Sequence, residues 1–387
     1  MTNYSYFDLF SGAGGWSVGI EAGYTHIGMY DFNESACATA KHNLRTEVSC
    51  ADLSQHARIR FPEADVIFGS PPCQGFSNEG EKDADDPRNS LVFDFLRIVE
   101  RVKPRAWVFE NVPGFARSYG GRWFRDVAAE IDRLGYKWSH HILDAADYGV
   151  PQNRKRFFIM AAREFVPQPP RPTHARVPRG LLGEKPWVTL WEAISDLPIP
   201  TPGDRIGMFP YGDAASAYQT LMRQGSTLVT NHTAQKHSER VLEKIRLVPL
   251  GGDMEAFVGK YDENAVHYMG GYRRAPKERP SWTAYWTRGM TSIHPEQHRF
   301  LTPRECARIQ SFPDWFDFKG TTIENYTQIC NAVPPLIAQA IASAMADQLN
   351  RAGNASTGEP RRTHSTSKRR RDTKSCAVRR RTQGATP

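Results

Sequence analysis

The chain has 387 residues, 40% hydrophobic and 24% charged, which allows two or three domains and a sizeable core and includes no apolar run near the roughly 18 residues of a membrane span. Its net charge of +8 is confined to the end: residues 351–387 hold eleven Lys/Arg against two Asp/Glu, and the first 350 residues sum to −1. A terminal segment so basic and so poor in large apolar side chains cannot offset its ordering entropy, so residues 351–387 are expected to be a disordered basic tail. The first residues lead straight into a strand without a leader pattern. The six cysteines, at 37, 50, 73, 306, 330 and 376, form no Cys-x-x-Cys pair. Neither a metal site nor a disulfide framework is indicated, and a reducing cytoplasm is the expected compartment.

Residues 4–163 alternate short apolar strands with amphipathic helices. Strands are predicted at Tyr6–Phe10, His26–Tyr30, Val66–Phe68, Trp107–Phe109, Trp138–Leu143 and Phe157–Ala161. Helices are predicted near 14–22, 34–43, 91–102 and 121–134. This rhythm predicts an α/β fold with a doubly wound, mostly parallel sheet. Asp8-Leu9-Phe10-Ser11-Gly12-Ala13-Gly14-Gly15-Trp16 follows the first strand and opens a helix. Glycines there either let a cofactor approach the backbone or serve tight strand–helix packing. Asp31 follows the second strand, where Rossmann-like folds bind ribose hydroxyls, and Asp52 follows Val48–Cys50. Each could equally be a solvated loop carboxylate or a helix cap. The three features together favour an adenosine-containing cofactor without separating NAD from S-adenosylmethionine.

The most informative segment is Gly69-Ser70-Pro71-Pro72-Cys73-Gln74-Gly75-Phe76-Ser77. Asp65–Phe68 reads as a buried parallel strand that Pro71 and Pro72 terminate. Cys73 then falls just past the carboxyl end of a strand, where open α/β sheets place their ligands. A free cysteine is often simply buried, but the prolines and the polar loop to Asn89 argue against burial. Phe109-Glu110-Asn111-Val112-Pro113 repeats the design, with Glu110 near Cys73 if the two strands are neighbours. A buried Glu can donate a hydrogen bond to a ring nitrogen, or it can merely pair with an Arg. Gln152, Arg154 and Arg156 share one side of an extended segment, suited to a substrate or phosphate.

Beyond residue 164 the pattern breaks. Residues 167–172 read as a Pro-rich linker, and 173–300 as a second, irregular domain. Thr302-Pro303-Arg304-Glu305 is a helix start with a capping box. Pro335–Leu349 reads as a last amphipathic helix, with Ile337, Ile341, Met345 and Leu349 on one face.

In this order the motifs closely resemble those of the DNA cytosine-5 methyltransferase family. They are Phe10-Ser11-Gly12-Ala13-Gly14-Gly15, Pro72-Cys73-Gln74, Asp86-x-Arg88-x-x-Leu91, Glu110-Asn111-Val112 and Gln152-x-Arg154-x-Arg156. Arg304-Glu305-x-Ala307-Arg308-x-Gln310-x-Phe312-Pro313 and Asn331-Ala332-Val333-Pro334-Pro335 complete the set, which spans residues 6–345.

The resemblance implies a Rossmann-like S-adenosylmethionine-dependent domain in 1–164, completed by 326–350, and a smaller target-recognition domain in 165–325. It implies that Cys73 attacks carbon 6 of a flipped cytosine, that Glu110 engages ring nitrogen 3, and that Arg154 supports the base while Arg156 orients the site. Gln74 and Asn111 join this catalytic set. Phe10, Gly12 and Gly14 would line the cofactor, Asp31 would hold its ribose and Asp52 its adenine, with Phe32, Pro72, Leu91 and Asn331 completing the site. It implies double-stranded DNA as substrate, a monomer on DNA, and a restriction–modification system with a cognate endonuclease.

Three positions depart from the family's pattern. Asp31 stands where Glu is more frequent, Phe32 where a larger or branched apolar residue is, and Cys330 where Gly is usual. If that last position needs a positive φ, Cys330 would be strained. A transfer-RNA-methylating relative carries a Cys-Phe-Thr signature in its second domain, and no cysteine lies between 73 and 306. A DNA-binding pseudoenzyme should lack the nucleophile or the Glu. A NAD oxidoreductase would leave Pro72-Cys73-Gln74 unexplained.

Overall fold

The computed structural model describes residues 3–20, 23–72, 90–178, 183–204, 207–249, 273–286 and 291–356. Its frame is a seven-stranded sheet in the order β3-β2-β1-β4-β5-β7-β6. The strands are β1 (Tyr4–Leu9), β2 (Tyr24–Asp31), β3 (Val48–Cys50), β4 (Val66–Gly69), β5 (Ala106–Asn111), β6 (Lys137–Asp144) and β7 (Lys155–Ala162). Strands β1 to β5 pair in parallel, as a doubly wound sheet requires. The exception is β7, which runs antiparallel between β5 and β6. Residues 145–154 between β6 and β7 are too few for a parallel crossover, which needs a dozen or more, so β7 folds back as a hairpin.

Helices α1 (Gly15–Gly19), α2 (Glu34–Asn43), α3 (Leu91–Val102) and α4 (Arg122–Arg133) connect the strands. The central strands are apolar on both faces because both are covered. Tyr6, Phe68, Val108 and Phe158 face α1 and the last helix. Phe7, Ile67, Trp107, Phe109 and Ile159 face α3 and α4.

The second region is irregular, as its weak periodicity predicts. It holds the two-residue strands β8 (His174–Ala175) and β9 (Lys185–Pro186) and the short helices α5 (Leu190–Ile194), α6 (Ala217–Arg223) and α7 (Glu239–Leu247). Ile245 of α7 lies in a separate small cluster with Val248, Ile293 and Phe300, whereas helices α5 and α6 pack on α8 (Pro303–Ile309) and α9 (Thr322–Asn331). The same apolar cluster includes Ala13 from the glycine turn and Ala332, so the two regions share a core. The expected division between 325 and 326 falls inside α9.

The last helix, α10 (Pro335–Ser356), runs past the predicted end at Leu349 and past the expected start of the tail at 351. Its apolar stripe does end at Leu349, but a helix propagates one bond at a time and needs no core contact to gain another turn. Residues 357–387 of the expected tail lie outside the described residues. Residues 322–354 are apolar enough to span a bilayer by length and composition. They are interrupted at Ala332, whose backbone is extended, and 61% of their most apolar window is buried within the protein.

Candidate active site

Alternate residues of a strand share a face. Phe68 and Val108 face α1, so Ser70 and Glu110, each two residues further on, continue that face at the carboxyl ends of β4 and β5. The two strands are adjacent, with Gly69 opposite Phe109. Glu110 is buried, and its Oε1 lies 3.1 Å from Nε of Arg156. On the other side, Ser70 at the end of β4 continues the same face, with its hydroxyl near enough to hydrogen-bond that carboxyl. Burial pushes the Glu110 proton affinity above the ordinary carboxylate range, while Arg156, Arg154 and Ser70 oppose the shift. The result is an acid held by cations yet biased toward its neutral form, an environment suited to donating a proton.

The approach to Cys73 is fixed from both sides. The Ser70 N–H donates to the Leu9 carbonyl at 3.2 Å. Asn111 Nδ2 donates to the Pro71 carbonyl at 3.4 Å, while Asn111 Oδ1 accepts from the Val112 N–H at 2.8 Å. Asn111 thus ties the strand end bearing Glu110 to the turn entering the cysteine segment. Pro72 is half-buried at that turn. Cys73 and Gln74 lie outside the described residues.

The carboxyl edge of β1, β2 and β3 holds most of the residues expected at the cofactor. Phe10 and Gly12 have positive φ, 52° and 54°. A Cβ on Gly12 would meet nothing within 4 Å, whereas one on Gly14 would lie 2.8 Å from the Leu44 side chain. Within the glycine turn, Gly12 therefore opens onto free space, while Gly14 serves close packing. Asp31 is buried and accepts from the N–H groups of Gly12 and Asn33, each at 2.8 Å. Burial raises its proton affinity, and those backbone donors counter it. Phe32 beside it leaves 68% of its surface exposed. Asp52 is exposed and caps the 3₁₀ turn Leu53–Arg58, and its hydrogen bonds with Ser54 hold its carboxyl below the ordinary range. Leu91 opens α3, half-buried.

Asn331 ends α9, exposed, at a turn that presses against α1. A Cβ on Gly15 would lie 2.2 Å from the Val333 carbonyl oxygen. That oxygen is backbone and cannot swing aside, so Gly15→Ala is expected to cost about 1–3 kcal/mol through overpacking. The check is a thermal melt beside Gly12→Ala, whose cost is confined to its positive φ, about 1–2 kcal/mol. Equal melting temperatures for wild type and Gly15→Ala would show that the turn is not anchored there.

Arg154 is buried, and its Nη2 donates to the carbonyls of Cys330 and Ala332 at 2.8 and 3.1 Å. Gln152 Nε2 donates to Gln310 Oε1 at 2.7 Å, and Gln310 Nε2 to the carbonyls of Ile329 and Ala332. Gln152 and Arg154 therefore clamp the turn after α9 to the start of β7, while Arg156 reaches Glu110. Cys330 lies within α9, and no positive φ occurs there. The conditional strain does not arise, because the helix supplies an ordinary backbone geometry at that position.

The Arg304–Pro313 motif serves the framework. Thr302 caps α8 with Glu305 closing the capping box, and Pro303 is its first residue. Arg308 is fully buried, donating to Asp314 at 2.6 Å from two nitrogens, to Asp196 at 3.1 and 3.2 Å, and to the Ala193 carbonyl. Arg308→Ala would leave two carboxylates without their shared cation. A loss of about 3–5 kcal/mol is expected, the scale of breaking a buried ion pair from one side. Chemical denaturation measures it, and a midpoint equal to wild type would show that Arg223, which also pairs with Asp196, and Arg304, 3.8 Å from Asp314, carry those carboxylates alone.

Two residues with no assigned role in the sequence reading, Ser70 and Trp16, touch this site. Trp16 Nε1 donates to Ser70 Oγ at 3.0 Å. The signal was present: Ser70 continues the pleat phase of Phe68, next to the strand that carries Glu110.

The mixed sheet with its antiparallel β7, the glycine turn after β1 and the acidic residues at the end of β2 and after β3, taken together with the chain's family, identify a Rossmann-like methyltransferase domain. The chain belongs to the C-5 cytosine-specific DNA methylase family, whose model matches residues 4–347. It is similar to the type II methyltransferase M.DdeI of Desulfomicrobium norvegicum, at 36% identity over 87% of this chain and 86% of that protein. It is also similar to the type II methyltransferase M1.HphI of Haemophilus parahaemolyticus, at 35% identity over 88% and 86%. A solved structure of a prophage-encoded E. coli protein, described as a DNA modification methyltransferase, superposes with a TM-score of 0.69 at 24% identity. It covers 90% of this chain and all of its own. The protein is thus a DNA cytosine-5 methyltransferase of the restriction–modification type, as the sequence resemblance implies.

Proposed function

We propose that the protein methylates carbon 5 of a cytosine turned out of double-stranded DNA, with S-adenosylmethionine as donor and a transient bond from Cys73 to carbon 6. The observation that carries this reading is Glu110. It is a buried acid biased toward its neutral form, beside the strand end that leads into Pro72-Cys73. Carbon 5 of cytosine is a poor nucleophile. Addition of a thiolate at carbon 6 makes it enamine-like, and a hydrogen bond from Glu110 to ring nitrogen 3 lowers the cost of the charge that develops. Arg156 holds Glu110 in place, and Arg154 is assigned to the base carbonyl. Loss of the carbon 5 proton and departure of the thiolate complete the cycle. The base must leave the helix to be reached.

The residues at the cofactor edge fit the donor. Gly12 presents open space, Asp31 a carboxylate already oriented by two backbone donors, and Phe32 an exposed ring. Phe10, Gly14, Asp52, Pro72, Leu91 and Asn331 are assigned to the rest of that site. S-adenosylmethionine supplies an electrophilic methyl group when bound, and the chain supplies the nucleophile, the acid and the orientation.

Sequence choice is assigned to the irregular region, 165–325, by contacts with base edges in the major groove. The assay is bisulfite sequencing of a plasmid from an expressing host. The expected result is protection of cytosines at one short recurring sequence. Absence of any protected cytosine in a host that makes the folded protein would overturn the reading.

A further inference from the structure

Trp16 opens α1, directly after the glycine turn, and is 1% exposed. Its ring sits 5.1 Å from that of Phe68 and 6.2 Å from that of Phe158. A phenylalanine would keep an aromatic ring in that slot, though a smaller one and without an N–H. The tryptophan N–H points at Ser70 Oγ, 3.0 Å away. Ser70 is held as firmly. Its N–H donates to Leu9, and a Cβ on the preceding Gly69 would come within 2.7 Å of Phe95, so the strand end has no slack.

We infer that Trp16 and Ser70 form a hydrogen-bond relay that positions Glu110, tying the cofactor-side helix α1 to the acid of the reaction. The inference rests on the reading of Glu110 as the group that engages the cytosine ring. Its logic is the donor inventory. An indole N–H can only donate, and a serine hydroxyl has one hydrogen and two acceptor sites. With Trp16 donating into one acceptor site, the hydroxyl hydrogen is directed toward the Glu110 carboxyl, its other partner. Successive donors polarise one another, so the bond to Glu110 is stronger than a lone serine would give. The charged groups facing Glu110 are Arg156 and Arg154, both from the β7 side. Ser70 supplies a neutral donor from the opposite side. Trp16 and Ser70 are thus positioning residues.

The sign follows directly. A donor to the carboxylate favours its charged form, so removing it raises the pH at which Glu110 gives up its proton. If Glu110 works protonated, the alkaline limb of the rate profile moves up. The experiment measures single-turnover methyl transfer against pH on unmethylated phage λ DNA with labelled S-adenosylmethionine. Ser70→Ala is expected to move the alkaline limb up by about 0.5–1 pH unit and lower the optimum rate about 3–10-fold, the scale of one lost hydrogen bond. Affinities for DNA and donor should stay within about twofold. Trp16→Phe, which keeps an aromatic ring but removes the N–H, should move the limb the same way by less. Adding it to Ser70→Ala should move nothing further, because it acts through Ser70. Ser70→Thr, which keeps a hydroxyl, should restore the limb.

An unmoved limb in folded Ser70→Ala and Trp16→Phe would overturn the relay, and so would a lower melting temperature with an unmoved limb, which would assign both residues to packing alone. Glu110→Gln separates the two levels. If it keeps the wild-type rate, the reading of Glu110 fails. If it collapses while the serine and tryptophan variants keep the wild-type limb, only the relay fails.

Discussion

Cys73→Ala is expected to reduce methyl transfer to background while specific DNA binding persists. The expectation follows from where β4 leads. That strand lies near the centre of the sheet between β1 and β5, and its carboxyl end is where an open α/β sheet exposes side chains to a ligand. Ser70, Pro71 and Pro72 carry the chain out of the strand, with Pro71 held by Asn111. A thiol titrates near about 8.5 in water, and only its thiolate attacks, so the site must favour ionisation. Alanine removes the nucleophile and little else, so the loss should fall on turnover and leave DNA affinity intact. DNA carrying 5-fluorocytosine at the target should trap wild-type protein covalently, because fluorine does not leave as a proton does. Trapping that survives in Cys73→Ala would place the nucleophile elsewhere.

Much of the fold was legible because its cues were local. The predicted helices at 34–43 and 91–102 coincide with α2 and α3: α3 has a clear apolar stripe, and α2 starts at a polar cap, Asn33, which accepts from the Ala36 N–H. The capping box at Thr302 and Glu305 is present as written. The antiparallel β7 was not legible. A buried strand reads Phe-Phe-Ile-Met-Ala-Ala whichever way it runs, and direction is set by the length of the connection. The second region offered little, because its order comes from buried side-chain networks such as Arg308 with Asp196 and Asp314. Those partners lie far apart in sequence and have no period.

The candidate site was legible in its parts and not in its wiring. Glu110 and Arg156 were singled out separately, and their 3.1 Å contact comes from the ladder that sets β7 against β5. The resemblance gives Arg154 to the base; in the structure its Nη2 donates to the carbonyls of Cys330 and Ala332. Gly15 was read as one more glycine of a cofactor loop. Its packing against Val333 belongs to a neighbour more than 300 positions away in the chain.

Glu110→Gln is expected to lower turnover by roughly 100-fold or more, the scale of lost general acid–base assistance. The substitution keeps the length of the side chain and a hydrogen-bond donor, so a purely steric role would be preserved. What it removes is a transferable proton and the countercharge for Arg156. Burial raises the proton affinity of Glu110 while the two arginines and Ser70 pull it down. A raised value means that the acid stays protonated further toward neutrality than an ordinary carboxyl would. Activity that needs the protonated form is therefore full at low pH and falls as pH rises through that value. Glutamine cannot titrate, so the variant should lose this alkaline limb along with most of its rate. The affinity for S-adenosylmethionine should change little, since the residues assigned to it lie around the turns after β1 and β2. The measurement is the single-turnover rate of methyl transfer against pH, with binding of the donor followed separately. A near-normal rate in Glu110→Gln would reduce Glu110 to an anchor for Arg156. A low rate that kept its alkaline limb would assign that limb to another group.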